Sequence, residues 1–206
     1  MNVERIQRHI EKNKRIKKFS EFSVLIPLIY IDDELHLLFE RRAKSLNSQP
    51  GEICFPGGKK EDGETPSYSA LRETVEELNI NESDITLLNN LGYYFTPFNY
   101  KINIFLGEIM NTKVESILFN TAEVDNIFTI PLKNLKNQKP SKYAFNVNMD
   151  ISDDFPYHKI EKGKDYSFKK GSYSVYFYEY KNYIIWGITA QILKIFLDNI
   201  KELSYS

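Results

Sequence analysis

The sequence predicts an α/β domain. Three observations lead to that class. Strand-like runs stand near both ends of the chain, 23–30 with 35–42 at the front and 172–180 with 183–186 at the back. Residues 66–79 and 189–203 repeat apolar side chains at the helical period of about 3.6 residues. The chain has 206 residues, 42% hydrophobic and 27% charged, which suits one domain with a sizeable core. Residues 1–206 show no repeat, linker or composition break, so a single domain is expected.

Residues 1–20 are basic. A helix is expected over 3–18, with Val3, Ile6 and Ile10 as an apolar stripe and Arg5, Arg8, Lys12, Lys14, Arg15, Lys17 and Lys18 around it. No aromatic residues interleave there as nucleic-acid platforms require, so the helix reads as a solvated face rather than an RNA contact. The first strand follows at 23–30, and Pro27 within it points to a sheet edge or a bulge. Asp32-Asp33-Glu34 turns the chain into a second strand through Arg42. Ala43 to Gly51 is polar and turn-rich, a loop that leads into the strand-like Glu52-Ile53-Cys54-Phe55.

Beyond residue 80 the expected strands are 85–91, 101–110 and 124–130, with 120–123 as a loop or short turn of helix. The aromatic run between Tyr93 and Tyr100 is expected to pack inward, the commoner fate of such clusters. Residues 133–171 are the least regular and read as a long loop or lid. Its Asp153, Asp154, His158, Glu161 and Asp165 are expected to be solvated. The hairpin 172–186 and a helix at 189–203, with Ile192, Leu193, Phe196 and Ile200 on one face, close the chain.

Composition excludes several function classes. The net charge of −1 gives no global attraction to nucleic acid. One cysteine, Cys54, permits no internal disulfide and fits a reducing, cytoplasmic setting. Cys54 itself reads as a small buried residue rather than a nucleophile, since no base lies near it in sequence. No apolar run reaches the roughly 18 residues that span a bilayer, and no apolar core follows the basic N-terminus as in a secretory signal.

The stretch from Gly57 to Ile80 carries the chemistry. Thr65 or Ser67 can cap its helix, and Pro66 suits the first turn. On a helical wheel Tyr68, Leu71, Val75 and Leu78 share one face, while Glu73, Glu76 and Glu77 share the opposite one. Three clustered carboxylates repel unless a cation sits among them. Hard divalent cations such as Mg²⁺ take oxygen ligands and are shared with substrate phosphates. The backbone of Gly57-Gly58 can approach the cluster closely. Arg72 can fix Glu64 or Glu73 by a forked contact. The loop before the glycines adds the cations Arg41, Arg42 and Lys44, which suit a phosphate ester.

These residues resemble the Nudix box. Gly58, Glu64, Arg72, Glu73, Glu76, Glu77 and Ile80 match its pattern; Thr74 stands at a usually aliphatic position and Asn79 at the closing glycine. The preceding segment is similar to the signature of coenzyme A pyrophosphatases. Arg42, Ala43, Gly51, Phe55, Pro56, Gly57 and Gly58 match at its spacing, whereas Glu40 and Asn47 replace its Thr and its second Arg. Residues 185–190 also look like the carboxyl-terminal region of those enzymes.

The resemblance implies the Nudix fold, a mixed β-sheet sandwiched between α-helices. It implies Mg²⁺- or Mn²⁺-dependent hydrolysis of the pyrophosphate of coenzyme A or acyl-coenzyme A, giving 3′,5′-ADP and (acyl-)4′-phosphopantetheine. ADP-ribose or another nucleoside diphosphate derivative is the alternative substrate class, and a catalytically idle binding module the alternative function. Glu73 and Glu77 are the implied metal ligands, with the Gly57 carbonyl and with Glu76 as third ligand or base. An acid from the long loop is a second source of the base. Glu73, Glu76 and Arg72 form the implied catalytic set, supported by Glu64. Arg42, Lys44, Gly51, Phe55 and Gly58 are the implied substrate contacts, with Arg42 assigned to the extra 3′-phosphate of coenzyme A. A homodimer is compatible with this reading.

Overall fold

Val24 to Ile29 is apolar on both sides of a strand's pleat, so this segment needs cover on both faces. The computed structural model, which describes residues 2–12 and 19–203, supplies that cover. The first strand, β1 (Ser20–Ile31), lies inside a seven-stranded sheet. Its hairpin partner is β2 (Glu34–Arg42). Two short strands, β3 (Ile53–Cys54) and β4 (Gly57–Lys59), pair with β2 and β1 respectively. On the other side stand β6 (Tyr100–Ile109), parallel to β1, and then β5 (Ile85–Phe95). The strand β7 (Val124–Pro131) pairs with β2. One parallel pair among antiparallel ones makes the sheet mixed.

Helix α2 (Pro66–Leu78) covers one face, where Leu25 and Phe105 pack with Ala70. Helix α4 (Gly187–Asn199) covers the other, where Ile26, Leu28 and Phe39 pack with Ile192, Leu193 and Phe196. Alternate residues of β1 thus face different helices, as a period of two requires. A second sheet of β8 (Ser141–Val147), β9 (Gly171–Tyr180) and β10 (Tyr183–Trp186) lies on the α4 side. Tyr183 stacks on Phe128 of β7 with ring centroids 3.6 Å apart and joins the sheets. The remaining helices are α1 (Val3–Lys12) and the short α3 (Leu132–Lys136). Among the described residues no helix is long and apolar enough to cross a membrane.

Several expectations change. The helix expected over 3–18 is described as far as Lys12, and residues 13–18 lie outside the described set. Pro27 is not at an edge: β1 pairs with β4 at 22–24, with β2 at 28–31 and with β6 at 20–28. Proline, which lacks an N–H, sits where the chain passes from one antiparallel neighbour to the other. The aromatic run turns inward only at Tyr94, which packs against the core. Tyr93 and Phe98 are 59% and 62% exposed, and β5 continues through Phe95. The segment 133–171 contains β8 and short helical turns at Tyr157–Lys159 and Gly163–Asp165.

Helix α2 is rotated from the wheel expected for it. Ser69, Ala70, Thr74, Glu77 and Leu78 are its buried residues, and Tyr68 is exposed. Thr74 fits the interior because its hydroxyl donates to the Ala70 carbonyl at 2.7 Å. Thr65 caps the N-terminus through a 3.2 Å bond from the Tyr68 amide. Asn79 ends the helix at φ 51°, ψ 46°, the left-handed conformation that glycine and asparagine tolerate. That rotation carries Glu77 away from solvent and into the sheet side of the helix.

Candidate active site

The site grows from the glycine pair. Gly57 has φ of +151°, and a Cβ there would lie 2.4 Å from the Ser23 carbonyl oxygen. A Cβ on Gly58 would lie 2.3 Å from the Glu73 carboxylate carbon. Only glycines let this strand pass between β1 and the acidic helix. The Gly57 amide then donates to Glu77 Oε2 at 2.7 Å. A charge-assisted bond of that length fixes the carboxylate against the strand.

Arg72 organises the remaining acids. Its Nε and Nη2 fork onto Glu64 at 2.7 and 3.2 Å. Nη2 also donates to Glu73 Oε1 at 2.9 Å, and Nη1 to Glu76 Oε2 at 3.0 Å. Glu64 also accepts from the Glu61 amide at 2.8 Å. The Arg72 contact, followed by that amide, holds the Glu64 carboxyl below its ordinary pKa. The alternative between Glu64 and Glu73 resolves as both.

A cavity of about 680 Å³ opens in front of Gly57 and Gly58. Arg42, Glu73, Glu77 and Glu123 line its polar part; Val24, Phe55, Ile102, Ile188 and Ile192 line an apolar part, with Phe22, Phe98 and Tyr100 as aromatic wall. Phe55 serves both cavity and core, since it is buried and stacks on Phe39. Glu76 is outside the cavity lining, on the solvent side of Arg72. Lys44 and Gly51 are outside it too, lining a separate cavity. None of Asp153, Asp154, His158, Glu161 and Asp165 lines the acidic cavity.

Two acids were not legible in the sequence. Glu123 reaches the cavity from the turn before β7. Its carbonyl accepts from the Ala43 amide at 2.8 Å, and the Asn120 amide of the same turn donates to the Glu77 carbonyl at 2.8 Å. Glu40 on β2 is 1% exposed, pairs across from Cys54, and lies against Glu77. Its Oε1 has no hydrogen-bond partner. No local pattern marks either residue; a strand register and a turn bring them in.

Burial sets the electrostatics. Glu77 is 3% exposed, and desolvation, opposed by the Gly57 amide and reinforced by Glu73 and Glu123, pushes its carboxyl up to about 8. Burial, then the Glu77 charge, pushes Glu40 well above the carboxylate range. Burial also raises Glu73, against the pull of Arg72. The Cys54 thiol is raised well above its ordinary value, first by burial, which fits an inert thiol.

The donor set fits a hard divalent cation. Glu73, Glu77 and Glu123 line the cavity as oxygen donors, Glu40 lies buried against Glu77, and Arg42 is the cation whose charge acts on both Glu40 and Glu77. The Glu40 oxygen has no hydrogen-bond partner, so this buried acid still has an acceptor to satisfy. Among the described residues no three acid, histidine or cysteine side chains are already gathered for ligation, and Arg72 holds Glu73 and Glu76.

An acidic helix clamped by an arginine and set under a glycine strand on a mixed sheet is the arrangement to compare with known proteins. The NUDIX domain model matches residues 22–147, and the chain belongs to that family. It is 36% identical to Nudix hydrolase 3 of Caenorhabditis elegans over 56% of this chain and 49% of that protein. It is 30% identical to a Nudix hydrolase, NudL, of Photorhabdus laumondii over 83% of this chain and 80% of that one. It is 28% identical to the peroxisomal coenzyme A diphosphatase NUDT7 of Mus musculus over 89% of this chain and 69% of that one. The chain spans about half the length of some curated relatives it matches, 49% and 55% for two of them. Among solved structures, the NUDIX domain of Shewanella oneidensis NrtR with ADP-ribose aligns at 17% identity and a TM-score of 0.48, over 68% of this chain and 89% of that one.

Two outcomes follow from this geometry. Arg72→Lys keeps a charge but loses the fork that spans Glu64, Glu73 and Glu76. Turnover of any substrate should fall by at least about tenfold, and the helical circular dichroism should stay unchanged. Equal activity would show that charge alone suffices. The second outcome concerns pH. The Glu77 carboxyl rises from an ordinary 4.5 to about 8, so the folded state holds a proton that the unfolded state releases. Its stabilising contribution is full below pH 4.5 and lost as pH rises through 8. Metal-free protein should be more stable at pH 5 than at pH 8.5, by an amount on the order of a few kcal/mol, and Glu77→Gln should reduce that dependence while leaving the part due to Glu40. Thermal melts in chelator measure it.

Proposed function

We propose that this protein is a metal-dependent pyrophosphohydrolase of nucleoside diphosphate derivatives, with coenzyme A or acyl-coenzyme A as substrate. The observation that carries the hydrolase reading is the Glu77 carboxylate, buried in a cavity wall beside Glu73 and Glu123 and fixed by the Gly57 amide. An idle binding module gains nothing from burying an acid that must hold a proton to stay there. The coenzyme A reading rests on the signature residues Arg42, Ala43, Gly51, Phe55, Pro56, Gly57 and Gly58 and on the likeness to a coenzyme A diphosphatase.

Mg²⁺ or Mn²⁺ would be held by Glu77 and Glu73, with the Gly57 carbonyl and Glu123 completing the shell. When bound, such an ion lowers the pKa of water and neutralises charge on phosphate oxygens. The protein's own groups do the rest. Arg42, on the polar side of the cavity, faces the diphosphate and balances its charge. Glu73 is tethered through Oε1 to Arg72, and its Oε2 lies against Gly58 at the cavity wall. Glu64 and Glu76 hold Arg72, and Arg72 holds Glu73 in place. The apolar wall of Phe22, Val24, Ile102, Ile188 and Ile192 takes the uncharged part of the substrate and excludes bulk water.

The test is a panel of coenzyme A, acyl-coenzyme A, NADH, ADP-ribose and diadenosine polyphosphates with Mg²⁺ or Mn²⁺, the products identified by mass. Coenzyme A should yield 3′,5′-ADP and 4′-phosphopantetheine. Cleavage of ADP-ribose alone would move the substrate to the alternative class, and no cleavage of any member would leave the binding module. Glu77→Gln keeps an acceptor for the Gly57 amide but not a charge, so it should fold and lose orders of magnitude in turnover. Near-wild-type activity would remove Glu77 from the metal site. The sequence alone assigned Arg42 to the 3′-phosphate; its place beside Glu77 suits the diphosphate instead. Arg42→Ala should therefore lower kcat/KM for coenzyme A and dephospho-coenzyme A alike, by about one to two decades. A loss confined to coenzyme A would restore the first assignment.

A further inference from the structure

A second cavity, of about 540 Å³, opens beside the acidic one, and the two share Glu52 and Ile53 as a common wall. Its cationic side is Arg41 at the end of β2 and Lys44 in the loop after it. Its aromatic side is the β9–β10 hairpin, through Phe177, Ile184 and Trp186. Trp186 stacks nearly parallel on Phe177, with centroids 5.8 Å apart and 18° between the rings, yet stays 39% exposed. An indole braced on one ring and open to solvent is a platform for a planar base.

The charges fit an anion. None of the ion pairs formed among the described residues involves Arg41 or Lys44. Arg41 is instead held over the Tyr183 ring, 5.6 Å from its centroid, which aims the guanidinium without spending its charge. Glu52 is the acidic residue on the wall, and its Oε2 accepts from the Gln49 side-chain amide at 3.2 Å. The irregularity in the β2–β7 ladder falls between Arg41 and Arg42. Two consecutive arginines thereby serve different cavities, Arg42 the acidic one and Arg41 the aromatic one.

We propose that the second cavity is a nucleotide subsite in which a nucleobase stacks on Trp186 and a phosphate ester on its ribose, separate from the diphosphate, meets Arg41 and Lys44. The inference rests on the hydrolase reading for what occupies the first cavity. It makes the enzyme selective for nucleotides that carry a phosphate beyond the scissile pair.

The chain has one tryptophan, so its emission reports on this cavity. Adenosine 3′,5′-bisphosphate and adenosine are titrated separately into metal-free protein. A saturable change in emission is expected, with the bisphosphate binding more tightly than adenosine. Lys44→Ala, at an exposed loop position, should weaken the bisphosphate by roughly tenfold and leave adenosine unchanged. Arg41→Ala should weaken it by at least as much. Unchanged emission at saturating bisphosphate, or full bisphosphate affinity in both variants, overturns the inference. The two readings fail separately. Hydrolysis that the bisphosphate inhibits without any tryptophan response overturns the subsite and keeps the hydrolase. A tryptophan response with the expected variant losses, in a protein that cleaves no member of the substrate panel, supports the subsite and overturns the hydrolase.

Discussion

The hydrogen bond from the Gly57 amide to Glu77 Oε2, 2.7 Å long, is the contact on which the site depends. It requires a strand that can pass between β1 and the acidic helix, and only residues without side chains fit there. It also requires α2 to be rotated so that Glu77 faces the sheet, a rotation that Thr74 permits by satisfying its own hydroxyl inside the helix. Burying a carboxylate costs several kcal/mol unless it is compensated. One amide compensates part of that cost. The remainder appears as the raised Glu77 and Glu40 carboxyls and the unpartnered Glu40 oxygen.

Arg72 and Arg42 divide the cationic work between them. Arg72 is committed on three sides, to Glu64, Glu73 and Glu76, and functions as a frame. It gathers like charges that would otherwise repel along the helix. Arg42 stands at the cavity with its charge directed at Glu40 and Glu77. The acidic helix is thus rigid on its Arg72 side and charge-hungry on its cavity side. On the proposed function, a cation and a polyanionic substrate complete such an arrangement.

The sheets set the distances between these parts. The β1–β2 hairpin places Glu40 and Arg42 near α2 through the register of β2, and the turn before β7 delivers Glu123 through backbone bonds to Ala43 and Asn120. The small β8–β10 sheet, joined to the main one by the Phe128–Tyr183 stack, supplies the aromatic wall of the neighbouring cavity. Residues from opposite ends of the chain therefore meet at one cleft, with Ile53 and Glu52 between its two chambers.

The sequence by itself determined the local parts. Thr65 or Ser67, Pro66 and Asn79 bound the acidic helix, the glycine pair stands before it, and Arg72 is within reach of Glu64 or Glu73, because caps, turns and neighbouring side chains are short-range chemistry; that Arg72 holds both, and Glu76 as well, came from the folded structure. The pattern also placed β1, β2, β7, β9 and α4 to within a few residues. Only the tertiary structure decided what is buried. The helical wheel put Glu77 on an exposed face, and contact with β1 and β4 turned it inward. Glu40 and Glu123 carry no local mark, since their places come from strand register and a distant turn. Lys44 and Arg42, two residues apart in the chain, were grouped by proximity. The irregular register at Arg41–Arg42 and the loop that follows send them to different cavities, and no one-dimensional pattern records which way such a loop carries its side chains.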